Sequence, residues 1–546
     1  MMKTPAKFDV DLLIVGGGIN GTGIARDAAG RGLSVLLVEQ DDLASHTSSA
    51  STKLIHGGLR YLEYGELRLV REALIERERL LAIAPHIIWP LQFVLPQTHS
   101  PRPAWMVRLG LFLYDHLGGR KILPATRTVR LDRDPLGDGL KPGATRAFVY
   151  SDCWVEDSRL VVLNARDAAE RGATILTRTR LVAAARRDGG WSATIADAQG
   201  ERTVTARVLV NAAGPWVADV LGKVPDSRRD RGVRLIKGSH IVVPRLYAGD
   251  HALLLQNPDK RVVFAIPYEG RFTLIGTTDE AWQAPPGPAT IDAAETAYLC
   301  DTIDRYFQRG ITPADIVWSY SGIRPLYDDH AASASAVTRD YVLDLDAAED
   351  RAAMLSILGG KITTYRKLAE HAMIQLAPFF PDRSADLTKS WTATVALPGG
   401  DLSKNDFDRY LETLIRAYPD LPTELLRRLG RAYGTRVDRI LGAARTTAEL
   451  GEDFGAGLHA AEIDYLVDQE WARSADDILY RRSKLGLHLP ADAAARIDAY
   501  LADRIDAAAG GHRPPPQRPI RSACRPHRRT AGRRRRWPRS ARTRSR

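Results

Sequence analysis

Three observations on this 546-residue chain predict an α/β protein with a Rossmann-like dinucleotide-binding domain, a substrate domain built on a mainly antiparallel sheet, and a helical C-terminal domain. An apolar run near the N-terminus breaks at a glycine cluster. Strand signals dominate the middle of the chain. They stop after Leu397-Pro398-Gly399-Gly400, where helical periodicity takes over.

The N-terminal unit comes first. Asp11 to Val15 reads as a buried strand, and Gly16, Gly18 and Gly21 after it fit G-x-G-x-x-G. Gly16 permits the tight turn, Gly18 lets backbone approach a pyrophosphate, and Gly21 allows close helix packing. The helix over about Thr22–Arg31 points its N-terminal amides at the anion. Ser34 to Val38 is the second strand, ending in Glu39, 18 positions beyond Gly21, where a ribose hydroxyl needs an acceptor.

A polar loop follows, with hydroxyls at Thr47, Ser48, Ser49 and Ser51. It is either a contact to cofactor phosphate or ribitol, or a plain loop. In Lys53-Leu54-Ile55-His56-Gly57-Gly58-Leu59-Arg60-Tyr61, two glycines lie between a cation and an Arg-Tyr pair. That pattern fits backbone close to a flat ligand, with Arg60 making a forked contact to an anion. Glu66–Leu81 reads as an amphipathic helix burying Leu67, Val70, Leu74 and Leu81. Leu80–Pro101 is uncharged, but four prolines forbid a continuous membrane-spanning helix. Trp105, Leu109 and Phe112 form a stripe flanked by Arg102, Arg108, Arg120 and Lys121. It is read two ways, as a helix lying on a membrane surface or as buried core.

From Tyr150 strands and helices alternate again. Asp157 starts a helix ending at Gly172, Ala173–Thr177 and Val204–Val210 are strands, and the latter runs into Asn211-Ala212-Ala213-Gly214-Pro215. Small residues there bring backbone close to a cofactor. Antiparallel strands are predicted at 239–243, 262–266 and 272–276. Arg324, between Gly322 and Pro325, is read as sitting on a rigid bend, and Arg339 offers a further cation. Leu355–Leu358 leads into Gly359-Gly360-Lys361-Ile362-Thr363, a second helix start able to hold an anion. Several cations on Gly/Pro turns point to a doubly charged ligand. Helices are expected at 407–417, 424–433, 461–480 and 491–507, with Trp471, Ile478 and Leu479 in their core.

Charge and cysteine usage bound the function. The formal charge of +11 is concentrated after residue 510, where fourteen arginines and no acidic residue occur. The rest of the chain is therefore slightly acidic, which argues against a nucleic-acid-binding body. The tail, 511–546, reads as a basic disordered segment. Either it is an arm for nucleic acid or anionic lipid, or it is a dispensable extension; the second reading is preferred. Cys153, Cys300 and Cys524 lie far apart, without metal-ligand spacing, so no metal site is expected. A reducing cytosolic setting follows from the absence of a disulfide framework, and Met1–Lys7 lacks the apolar core of a signal peptide.

The glycine fingerprint, Ser48–Tyr61, Ile236-Lys237-Gly238-Ser239-His240 and Gly359–Tyr365 together resemble the respiratory FAD-dependent glycerol-3-phosphate dehydrogenases of bacteria. Trp471–Asp477 and Arg481–Gly486 extend the resemblance into the helical region, so it spans roughly residues 7–505 and omits the tail. It implies a D-amino-acid-oxidase-like fold and noncovalent FAD. It also implies oxidation of sn-glycerol 3-phosphate to dihydroxyacetone phosphate by hydride transfer, quinone as acceptor, and peripheral attachment to the cytoplasmic face of the inner membrane. A homodimer is one open arrangement. Arg60, Tyr61, His240, Arg324, Arg339 and Lys361 match substrate-pocket positions of that family. His240 and Arg324 are the catalytic candidates, His240 as base or else as a hydrogen-bonded structural residue. The cofactor set is Gly16, Gly18, Gly21, Glu39, Thr47, Ser48, Ser49, Lys53, Gly57, Gly214, Gly359, Gly360, Lys361 and Thr363. The rivals are an oxidase passing electrons to oxygen and a flavoprotein with a nucleic-acid-binding tail. Expected boundaries are 7–85, 145–230 and 335–392 for the FAD domain, 86–144 and 231–334 for the substrate domain, and 393–510 for the helical domain.

Overall fold

The computed structural model describes residues 8–225, 227, 232–328, 340–347 and 351–509. The expectations for Met1–Lys7, for Arg339 and for the basic tail lie outside these residues.

The first sheet grows from the glycine fingerprint. Strand β1 (Val10–Val15) pairs in parallel with β2 (Val35–Val38) on one side and with Gly200–Asn211 on the other. Thr174–Leu176 and Met354–Gly359 extend it, also in parallel. Helix α1 (Ile19–Gly30) starts directly after the fingerprint and packs with Asp157–Glu170 and Tyr365–Leu376 against one face. Parallel strands covered on both faces need apolar side chains at nearly every position. The fully buried Leu12, Leu13, Ile14 and Leu37 meet that demand. Each such side chain contributes about 1.5–3 kcal/mol on burial. Gly21 is required here for packing, because a Cβ would collide with the Gly16 carbonyl.

The second sheet stands over the carboxyl ends of the first. Val233–Pro244 pairs antiparallel with Phe272–Gly276 and with Trp318–Tyr327, while Ala252–Gln256 joins Ile88–Pro96 in parallel. Leu54–Ile55 and Arg146–Val155 also belong to this sheet, through the long antiparallel register from Ile88↔Val155 to Pro96↔Ala147. The expected boundary at 145 therefore shifts: the chain re-enters the FAD domain at the helix starting with Asp157. Sequence alternation could not show this, because a strand buried on both faces looks alike in either sheet. Arg324 differs from expectation too. It lies within the strand Trp318–Tyr327 rather than on a bend. Pro325 is tolerated because, among the described residues, this strand pairs with Val233–Pro244 alone and leaves its other edge open.

Helix α2 (Leu67–Ile83) buries Val70, Leu74 and Leu81 as expected, but Leu67, its first residue, is half exposed. Helix α3 (Ala104–Leu117) buries Val107, Leu111 and Tyr114. Its opposite face leaves Trp105 67%, Leu109 52% and Phe112 50% exposed, so the core reading of that stripe does not hold. No helix among the described residues is long and apolar enough to cross a membrane.

The C-terminal region is helical over Phe407–Ala417, Thr423–Tyr433, Ala460–Glu470 and Ala493–Ala509. The helix expected over 461–480 is interrupted. Trp471 takes φ +59°, and its ring packs against the core of the first domain rather than the helical one. Arg482, fully buried, donates to both Asp42 oxygens and to the Glu470 carbonyl, bolting the two regions together.

Candidate active site

The carboxyl ends of β1, β2, Gly200–Asn211 and Met354–Gly359 open into a cavity of ≈ 1160 Å³ roofed by the second sheet. Ligands of open α/β sheets bind at this end of the strands. At the floor, Gly16 takes φ +115°, and a Cβ there would strike the Ala212 carbonyl. Backbone of Gly18 borders the cavity beside the N-terminus of α1, where the Ile19 amide donates to Ser48 Oγ at 3.0 Å. The helix dipole makes this end of α1 a cradle for an anion.

Glu39 lies where the ribose acceptor was expected. Its Oε2 accepts from the Gly17 amide at 2.6 Å and its Oε1 from the Asp41 amide at 2.9 Å. Burial raises its carboxyl above the ordinary range, against these two stabilising amides. Glu39 thus both shapes the fingerprint turn and borders the cavity. Thr47 and Ser48 line it as well, with Thr47 Oγ1 donating to the Ile323 carbonyl at 2.6 Å. Gly214, Gly359, Gly360 and Thr363 complete the wall expected to meet a cofactor.

Four residues of the predicted cofactor set hold the structure around the cavity rather than line it, Gly21 through the helix packing that its place in the fingerprint predicts. Lys53 is buried and turned to Asp157, with Nζ 2.9 and 3.0 Å from its two oxygens. Gly57 donates its amide to Tyr114 Oη at 2.7 Å, and a Cβ there would strike Leu74. Ser49 hydrogen-bonds the His46 carbonyl, and Gly21 serves helix packing. None of the four borders the cavity. Sequence spacing alone does not tell a residue that builds a wall from one that faces the ligand.

Three of the predicted cations line the same cavity. Arg324 Nη2 donates to the Thr278 carbonyl at 2.7 Å, and Nη1 pairs with Asp279 at 2.9 Å. Lys361 Nζ lies 3.8 Å from the centroid of the Tyr61 ring. Arg60 keeps a buried Nε without a partner among the described residues, while Nη2 reaches Tyr64 Oη at 3.5 Å. His240, 2% exposed, lines the same cavity. Burial, and then the cations Lys53 and Arg324, hold its imidazole well below the usual histidine range, so it is neutral at physiological pH.

Two residues that the sequence reading passed over also face this space. His56 borders the cavity, and burial together with Lys361 and Arg77 lowers it to about 4. It lies inside the run Lys53–Tyr61, which was the available signal. Asp279 pairs with Arg324 and had no signal in the sequence. The remaining arm of the cavity is mostly apolar, with Arg102 and Gln256 as polar members: Phe93, Leu95, Leu254 and Phe264 line it with Met106, Leu109 and Leu113 on α3, whose side chains also reach the protein surface.

The cradle, the acidic acceptor and the anion-binding helix start fit a dinucleotide, and comparison with known proteins decides which. Residues 11–366 match the family model described as FAD dependent oxidoreductase. The chain belongs to this family. Residues 390–506 of this flavoenzyme match the C-terminal domain of alpha-glycerophosphate oxidase. It is 54% identical over 481 residues to the D-erythritol 1-phosphate dehydrogenase of Brucella abortus, covering 88% of this chain and 95% of that one. It is also 54% identical to the glycerol-3-phosphate dehydrogenase of Pseudomonas aeruginosa, over 90% and 94% of the two chains. The glycerol-3-phosphate dehydrogenase of Bacillus halodurans, solved in complex with FAD, superposes with a TM-score of 0.69 at 27% identity, covering 93% and 92%. FAD is the cofactor of this flavoenzyme, as the sequence resemblance implied.

Proposed function

We propose that the enzyme oxidises sn-glycerol 3-phosphate to dihydroxyacetone phosphate and passes the electrons to quinone at a membrane surface. The observation that carries this reading is the placing of Arg324, Lys361 and Arg60 in one cavity with a neutral His240. A phosphate dianion matches those cations. Arg324 is preorganised by Thr278 and Asp279, so little orientation entropy is lost when its outer edge meets the phosphate. Fixing the phosphate holds carbon 2 of the substrate at a set position, and binding energy from the non-reacting end then serves the chemistry.

The chemistry that bound FAD would supply is acceptance of the hydride from carbon 2. Gly16, Gly18 and the α1 N-terminus would hold its pyrophosphate, and Glu39 its ribose. The Gly359–Thr363 helix start, which lines the cavity, would stabilise negative charge on the reduced cofactor. His240 takes the hydroxyl proton, a role open to an imidazole that is neutral before the reaction.

The apolar arm supports the acceptor assignment. A dianionic substrate gains nothing from Phe93, Leu95 and Phe264, whereas a lipid-soluble quinone does. The same arm opens beside Trp105, Leu109 and Phe112, the exposed stripe that suits contact with a bilayer surface.

A second substrate has a specific observation in its favour. The relative acting on D-erythritol 1-phosphate is as similar as the one acting on glycerol 3-phosphate, and both substrates present a phosphate to the same cations. The test is anaerobic bleaching of the flavin by each phosphate, followed by kcat/KM with a quinone analogue and by peroxide release in air. Faster turnover of the four-carbon phosphate would replace the first substrate by the second. Peroxide as the main product would make the enzyme an oxidase, and no bleaching by either compound would refute both.

A further inference from the structure

The strand Val233–Pro244 sets His240 opposite Gly276 on one neighbour and opposite Tyr320 on the other. The imidazole lies over Gly276, where a Cβ would collide with it. On its other side the Tyr320 ring is stacked, 4.8 Å between centroids and 16° between planes. Tyr320 Oη donates to the Ser51 carbonyl at 2.8 Å, which ties this clamp to the segment carrying Thr52. Nδ1 of His240 is buried with no partner among the described residues, and Nε2 is 2.9 Å from Thr52 Oγ1. Thr52 borders the same cavity as Arg324 and Lys361. One ring nitrogen is therefore shut inside the protein, and the other is already engaged by a hydroxyl at the cavity wall.

We infer that Thr52 is the group through which His240 exchanges its proton with the substrate, and that its hydroxyl fixes the orientation of the ring. The inference rests on the base role given to His240 above. In the resting enzyme Thr52 donates its hydroxyl hydrogen to Nε2. As the C2–H bond breaks and its electron pair leaves with the hydride to the FAD oxidant, the C2 hydroxyl proton passes to Thr52 Oγ1. Thr52's own proton passes to Nε2, and the C2–O single bond becomes the carbonyl. The substrate loses a hydride and a proton, His240 ends protonated, and Thr52 is regenerated. A hydroxyl donates and accepts at once, whereas the near-isosteric valine does neither.

The experiment uses FAD-loaded enzyme with glycerol 3-phosphate and a dye acceptor. Thr52→Val and Thr52→Ser are each made in the wild-type and in the His240→Ala background. General acid–base steps are worth at least about a hundredfold, so Thr52→Val is expected to lower kcat by about that factor with KM and flavin content little changed. Thr52→Ser is expected to restore most of it. In the His240→Ala background Thr52→Val is expected to cost nothing further. Unchanged kcat in Thr52→Val, or losses that multiply with His240→Ala, would overturn the inference. An active His240→Ala enzyme would instead remove the base assignment beneath it. Thr52→Ala supplies the same comparison should the valine variant lose its flavin.

Discussion

Replacing Arg324 by alanine tests the substrate site in a way the structure makes quantitative. One charge-assisted contact to phosphate is worth roughly 1.5–3 kcal/mol. The substitution does more than delete it, because Asp279, 2.9 Å from Nη1, then loses its counter-charge within the same cavity. A carboxylate facing a phosphate dianion in this partly exposed setting adds a repulsion on the order of 1–2 kcal/mol. Arg324→Ala is therefore expected to lower kcat/KM for glycerol 3-phosphate by about a hundredfold to a few thousandfold, and for glycerol hardly at all. Adding Asp279→Asn should recover about five- to thirtyfold of the loss. Arg324→Lys should stay well short of wild type, since it keeps the charge but cannot reach both Thr278 and a phosphate fork. The assay is initial-rate dye reduction on both substrates with flavin content matched. Equal losses on glycerol and glycerol 3-phosphate, or no recovery with Asp279→Asn, would refute the phosphate assignment.

Three further outcomes follow from other parts of the structure. Glu39→Gln keeps an acceptor for the Gly17 or Asp41 amide but loses the charge, so it should weaken FAD retention on dilution by about tenfold while leaving substrate preference intact; unchanged flavin content would remove the ribose role. Replacing Trp105, Leu109 and Phe112 together by polar residues should move the enzyme from the membrane pellet to the supernatant and spare dye-linked activity. A variant that sediments as before would show that the stripe does not hold it there. His86 is buried, its ring nitrogens lack partners among the described residues, and burial with Arg159 and Arg431 lowers it to about 3. The unfolded chain binds this proton near pH 6.5 and the folded one does not, so stability should fall as pH drops from 6.5 toward 3, by up to about 1.4 kcal/mol per unit. His86→Gln should flatten that slope in denaturant titrations, and an unaltered slope would assign it to other groups.

Much of the site was legible because its signals are local. Gly16, Gly18 and Glu39 are fixed by a strand, a turn and a second strand that are contiguous in sequence, and each needs a residue type that few others can replace. The same holds for the turn Gly359–Thr363. What misled the reading were motifs whose residues share a sequence run but face different ways. Lys53 and Arg60 stand seven positions apart, yet one is sealed against Asp157 and the other borders the cavity. His56 was passed over in that very run, and Asp279 carried no signal at all.

By itself the sequence determined the dinucleotide fingerprint, the mainly antiparallel middle and the helical C-terminal region, since periodicity and residue chemistry are properties of short stretches. Only the tertiary structure decided that Arg146–Val155 completes the second sheet, that Trp471 breaks a helix to reach another domain's core, that α3 turns its aromatic stripe outward, and that Arg324 shares its charge with Asp279. Those outcomes depend on which surfaces meet across hundreds of residues. Burial and pairing energies that arise only at such contacts override the local preference of each segment.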